Sequence, residues 1–206
     1  MCVAVYKPIG ANLPTERELE AMYAKNPDGA GFAYTNKKSG VVTWSKGYFD
    51  VFDWMTEAFM AESADRAMFL HCRWATHGEI NAANCHPFPI TGCFDKMGKS
   101  SGSSRVGCIM HNGVLCNDIT RDDISDTMQA VGDIARCGLH KSVDRNPAAV
   151  RLIEMVFSGS RGAIMLPGAR VVLTGEWLFD ANSGCYISNN KWKSALRPQP
   201  RKGVWE

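Results

Sequence analysis

Several things that this sequence lacks narrow its class before any motif is read. No apolar run approaches the ~18 residues of a membrane-spanning helix, and the first residues show neither the basic nor the apolar stretch of a secretory signal. The expected setting is the cytoplasm, away from membranes. None of the eight cysteines (2, 72, 85, 93, 108, 116, 137 and 185) pairs with another as C-x-x-C, so no zinc ribbon or redox motif is written in their spacing. Several lie inside apolar runs, as Cys72 and Cys108 do, which suits buried reduced thiols better than a disulfide framework. His71, Cys85 and His86 lack paired ligand spacing, so neither a metal nor a cofactor is expected. Net charge is scarce as well, since 23 Lys and Arg against 21 Asp and Glu leave only +2.

What is present suits one compact domain. The chain has 206 residues, 45% of them hydrophobic, enough to bury a full core. Val3 to Tyr6 reads as a strand, and Thr15-Glu16-Arg17-Glu18 as a capping box opening a helix whose Leu19, Met22 and Tyr23 share a face. Apolar and aromatic runs at 31–36 and 41–47 flank Lys37-Lys38-Ser39-Gly40 as a hairpin. Asp50 caps a helix expected to turn Val51, Trp54, Met55 and Phe59 inward. Residues 67–72 and 106–110 read as buried strands. Ser125 caps one later helix, and Asn146-Pro147 opens another, with proline at the first helical position. Strands at 162–166, 169–173 and 185–188 close the chain. This pattern alone supports an α+β class.

The chemistry-bearing residues begin at Cys2, directly after Met1. Removal of the methionine leaves a thiol and a free α-amine on one residue, a nucleophile carrying its own base. Downstream stand Arg73-Trp74-Ala75-Thr76-His77-Gly78, then Asn84 and Cys85-His86-Pro87-Phe88, then His111-Asn112-Gly113 and Ser125-Asp126-Thr127. In this order behind an early cysteine, these blocks resemble the glutaminase domain of class II glutamine amidotransferases, the family of glucosamine-6-phosphate synthase, amidophosphoribosyltransferase and asparagine synthetase. The resemblance runs from Cys2 to about Asn190, and Asp28-Gly29-Ala30-Gly31 looks closest to the family's small stand-alone branch. It implies the four-layer αββα fold of N-terminal nucleophile hydrolases, with two stacked antiparallel sheets.

It also implies roles. Cys2 attacks the glutamine amide, and its amine takes the thiol proton and later returns one to the leaving ammonia. Asn112, through its side chain, and Gly113, through its backbone amide, stabilise the oxyanion. Arg73 clamps the substrate carboxylate with its planar fork, Asp126 meets the ammonium, Thr76 and His77 assist on the carboxylate side, and Trp74 supplies a wall. Asn84 and His86 organise the loop. The family continues Ser-Asp-Thr with glutamate where this chain has Met128, a departure that touches the helix cap more than the substrate.

Two segments fall outside a minimal glutaminase. Residues 91–105, rich in glycine and serine, read as a mobile loop near the site. Residues 191–206 read as a basic C-terminal tail behind a 1–190 domain, with five Lys and Arg against Glu206, able to meet an acidic partner or nucleic acid. No synthase domain follows, so the expected partners are glutamine and a separate ammonia-accepting synthetase. Two other readings use the same residues: an amidohydrolase for another amide such as a γ-glutamyl conjugate, and a non-catalytic regulatory protein on the same fold.

Overall fold

The computed structural model describes residues 2–115, 121–157 and 159–196. In chain order its elements are β1 (Val3–Lys7), α1 (Glu16–Lys25), β2 (Ala30–Asn36), β3 (Val42–Tyr48), α2 (Val51–Ala61), β4 (Arg66–Cys72), β5 (Phe88–Pro89), α3 (Phe94–Met97), β6 (Ser101–Ser104), β7 (Cys108–Asn112), α4 (Asp126–Arg136), α5 (Pro147–Val156), β8 (Arg161–Leu166), β9 (Arg170–Thr174), β10 (Leu178–Asp180) and β11 (Cys185–Ile187). Seven strands form one sheet in the order β10-β11-β1-β4-β2-β3-β6, and four form a second in the order β5-β7-β8-β9. All the strand pairs are antiparallel.

The period-2 alternation of strand side chains explains the layering. In the larger sheet Val3, Val5, Phe32, Met68 and Leu70 face outward onto Leu19, Met22, Trp54 and Met55 of α1 and α2. Their neighbours Ala4, Ala33, Ala67 and Phe69 face inward, where they meet Cys108, Met110, Ala163 and Met165 of the second sheet. Ile109, Ile164 and Leu166 point the other way, onto Met128, Val131, Ile134 and Ile153 of α4 and α5. Three apolar interfaces thus bind four layers: helices, sheet, sheet, helices.

Local chemistry sets the helix ends. Thr15 and Glu18 form the reciprocal capping box, Asp50 accepts from Phe52 and Asp53 N–H, Ser125 accepts from Met128 N–H, and Asn146 caps α5 with Pro147 in its first turn. The 37–40 turn is held by Asn36, whose side chain accepts from Lys38 and Ser39 N–H at 3.0 and 2.8 Å.

The structure differs from the sequence-based expectations in four places. Phe59 is 38% exposed, because α2 buries Trp54, Met55 and Ala58 and turns position 59 to solvent. The strand expected from Val106 begins at Cys108; Gly107, at φ 133°, breaks the extended run, and Val106 N–H turns back to Ser104 Oγ. Segment 91–105 contains α3 and β6, and β6 closes an edge of the large sheet against β3, where Gly102 lies against the Trp44 indole. Backbone pairing needs no apolar side chains, so a Ser/Gly run can be a strand. Finally, the packed body runs past residue 190: Lys191–Leu196 is a 3-10 helix whose Trp192 is buried in the core beside α1. The rest of the basic tail, 197–206, lies outside the described residues.

Candidate active site

Antiparallel register brings the start of the chain to the first motif. Val3 pairs with Cys72, so Cys2 lies beside the residues that follow β4. Its Sγ accepts from Trp74 N–H at 3.3 Å and lies 3.5 Å from the Trp74 carbonyl. Burial raises the thiol pKa, opposed by the Trp74 hydrogen bond and by the Arg73 charge. The Cys2 carbonyl is held from the far end of the chain by Asn189 Nδ2 at 2.8 Å.

Arg73 is itself buried and gathers the next loop around its guanidinium, donating to the carbonyls of Glu79 at 2.9 Å and His77 at 2.8 Å. Its fork carries five donors, more than these contacts use. Asp28 braces the same loop, its Oδ2 accepting from Ala75 N–H at 2.7 Å. Asn84 ties this region to the cap of α4: Oδ1 accepts from Ser125 N–H at 2.8 Å, and Nδ2 donates to the carbonyls of Asp123 and Glu79 at 2.9 and 3.2 Å.

Asp126 opens α4, where the helix dipole favours a carboxylate. Its Oδ2 accepts from Leu115 N–H at 2.8 Å and lies 3.8 Å from His77 Nδ1, while its Oδ1 accepts from Thr127 N–H at 2.6 Å. It therefore also fixes the turn that follows Gly113. His111 Nδ1 bonds Thr127 Oγ1 at 3.0 Å, and burial lowers its pKa to about 4. Burial likewise lowers His71 to about 3 and takes His86 well below its usual value.

Cys2, Arg73, Trp74, Thr76, His77, Gly113 and Asp126 line one cavity, together with His86, His111, Ser125 and Thr127. Its volume is about 20 Å³, room for about one water. Asn112 is not in the wall. It is 1% exposed, donates from Nδ2 to Ser188 Oγ at 2.8 Å, and leaves Oδ1 buried without a partner. Gly113 cannot carry a side chain, because a Cβ there would strike Ser160.

Sequence reasoning gave roles to ten of these residues, quoted Asp28 only as part of a turn motif, and missed the supports Ser188 and Asn189. The last two lie more than 180 positions from Cys2 and carry no motif. Among the described residues all seven cysteines are free, and no cluster of three His, Cys, Asp or Glu could hold a metal ion.

No protein-family model matches the chain. Over 114 residues it is 31% identical to the glutamine–fructose-6-phosphate aminotransferase (isomerizing) of Thermotoga maritima, a stretch covering 53% of this chain and 16% of that enzyme. The solved structure of the allosteric regulatory enzyme of purine biosynthesis superposes with a TM-score of 0.50 at 15% identity, covering 95% of this chain and 43% of that one. The fold is that of the N-terminal nucleophile hydrolases. The glutamine phosphoribosylpyrophosphate amidotransferase from B. subtilis, complexed with ADP and GMP, superposes at TM-score 0.49 and 15% identity, over 91% of this chain and 41% of that one. The chain thus spans less than half the length of each of these three proteins.

Proposed function

We propose that this chain is a glutaminase domain of the class II amidotransferase kind, of its small stand-alone branch, working in the cytoplasm. In this reading it hydrolyses the side-chain amide of glutamine and passes ammonia to a separate synthetase. The observation that carries the reading is one cavity lined by a thiol, a guanidinium and a carboxylate. An amino acid with its own carboxylate and ammonium has a counter-charge for each, with a nucleophile beside them.

The electrostatics favour an amine as the base. With its pKa raised by burial, the Cys2 thiol is protonated near neutrality. The buried imidazoles His86 and His111 are poor bases, since burial depresses their pKa values. Once Met1 is removed, the α-amine of Cys2, with a reference pKa of ~7.7–8.0, fills that role. Sulfur then attacks the amide carbon, the carbon–nitrogen bond breaks, and ammonia leaves with a proton returned by the amine. Water splits the thioester to give glutamate and the free thiol.

Asn112 and Gly113 are the proposed oxyanion donors. Ser188 Oγ receives Ala4 N–H at 2.9 Å as well as Asn112 Nδ2. Turning the Asn112 amide over gives the Ser188 proton an acceptor and frees Nδ2 to donate. Glutamine does not fit the cavity as it stands, so Trp74, Thr76 and His77, the exposed part of its wall, must move to admit it.

The test is intact mass before and after exposure to 6-diazo-5-oxo-norleucine. The expected result is a chain without Met1, labelled once at Cys2 and protected by glutamine. A processed chain that resists the label while cleaving γ-glutamyl conjugates would replace glutamine with another amide.

A further inference from the structure

β7 has β8 along one edge for its whole length, but β5 along the other only from Cys108 to Ile109. Among the described residues no strand lies on that edge beyond Ile109, although it leads to Asn112 and Gly113. Continuing the β5 register would set residue 86 opposite 111. There the ring of His86, rather than its backbone, does the bonding. Its Nδ1 accepts from His111 N–H at 3.2 Å, and His71 Nε2 bonds the His111 carbonyl at 3.1 Å. The two rings stack with centroids 4.1 Å apart, and His86 also rests on Phe88 at 4.8 Å.

Both rings are buried, and their bonds fix their tautomers. A carbonyl only accepts, so His71 carries its proton on Nε2; an N–H only donates, so His86 is unprotonated on Nδ1. His71 Nδ1 is left buried without a partner. A ring kept in the core with one nitrogen unsatisfied points to the bond made by the other.

We propose that His71 and His86 are positioning residues, a stacked imidazole pair that replaces the missing strand, holds both the N–H and the carbonyl of His111 and so aims Asn112 and Gly113. The aiming rests on the glutaminase reading; the clamp itself does not. Neither ring transfers a proton in this account.

The experiment uses the processed full chain. Long-range imidazole nitrogen NMR of the wild type is expected to show Nε2–H tautomers for His71 and His86. His71→Phe and His86→Phe keep a ring and lose the bond. Each should speed amide exchange at His111 and lower kcat on glutamine about tenfold or more, with KM within about twofold. His86→Asn returns an acceptor at the Nδ1 position and His71→Gln a donor at the Nε2 position, and each should recover most of the loss. Wrong tautomers in the wild type, native exchange and kcat in both Phe variants, or no recovery in the Asn and Gln variants would overturn the proposal. If the wild type releases no ammonia from glutamine, the glutaminase reading fails, while tautomers and exchange still decide the clamp.

Discussion

Asn112 gives the sharpest expectation for a single side chain. Removing one oxyanion donor typically lowers turnover by about two to three orders of magnitude, so Asn112→Ala should do so in an ammonia-release assay while the fold survives. Arg73→Ala and Asp126→Ala should act differently, raising the glutamine KM far more than Cys2→Ala raises the binding constant, because they remove ground-state contacts. Equal, small changes in all three would remove glutamine as the substrate. Both charged residues also hold loops, Arg73 at 77–79 and Asp126 at Leu115, so some loss of Tm is expected alongside. The sequence made Cys2, Arg73 and Asp126 legible because they stand in dense local motifs. It could not disclose Lys46, a lysine on the inward face of β3 that donates to the carbonyls of Ala83 at 2.8 Å and Met97 at 2.7 Å under the ring of Phe88. A charge in a strand reads as solvent-facing until the carbonyls that receive it are known.

Among the elements, those with chemical punctuation were read closely, including the capped helices α1, α2 and α4 and the hairpin turned by Asn36. The short strands β5 and β10, and β6 with its Ser/Gly composition, were not, because pairing with a distant neighbour creates them and no local pattern announces them. Gly31 shows how tightly such neighbours meet. A Cβ there would drive into the His86 carbonyl and the Lys46 backbone, so Gly31→Ala should lower stability by more than about 1–3 kcal/mol, the usual overpacking cost, as read by denaturant midpoint. Trp192 makes the corresponding case for the last helical turn. Its indole is 1% exposed and donates to the Asn189 carbonyl at 2.9 Å. Trp192→Ala should cost about 3–5 kcal/mol, and by loosening Asn189 it should also slow labelling of Cys2.

For the whole molecule, the three buried imidazoles set an acid limit. Their pKa values are lowered on folding, to about 3 for His71 and about 4 for His111, with His86 in the same direction. Between those values and the unfolded value near ~6.5, the unfolded chain binds more protons than the folded one. Stability should therefore be full above about pH 6.5 and fall as pH drops, by up to about 1.4 kcal/mol per unit for each ring. Denaturation midpoints from pH 7 to pH 4 check this, and a flat profile would mean that the rings are hydrated. The fold carries a further consequence in time. β1, which precedes the other described strands, sits inside the large sheet, yet its neighbours β4 and β11 lie some 60 and 180 residues later in the chain. During synthesis it must wait as an open, apolar edge, so the nascent protein is expected to depend on chaperones and to fold slowly. A strand made early would then be among the last to find its partners.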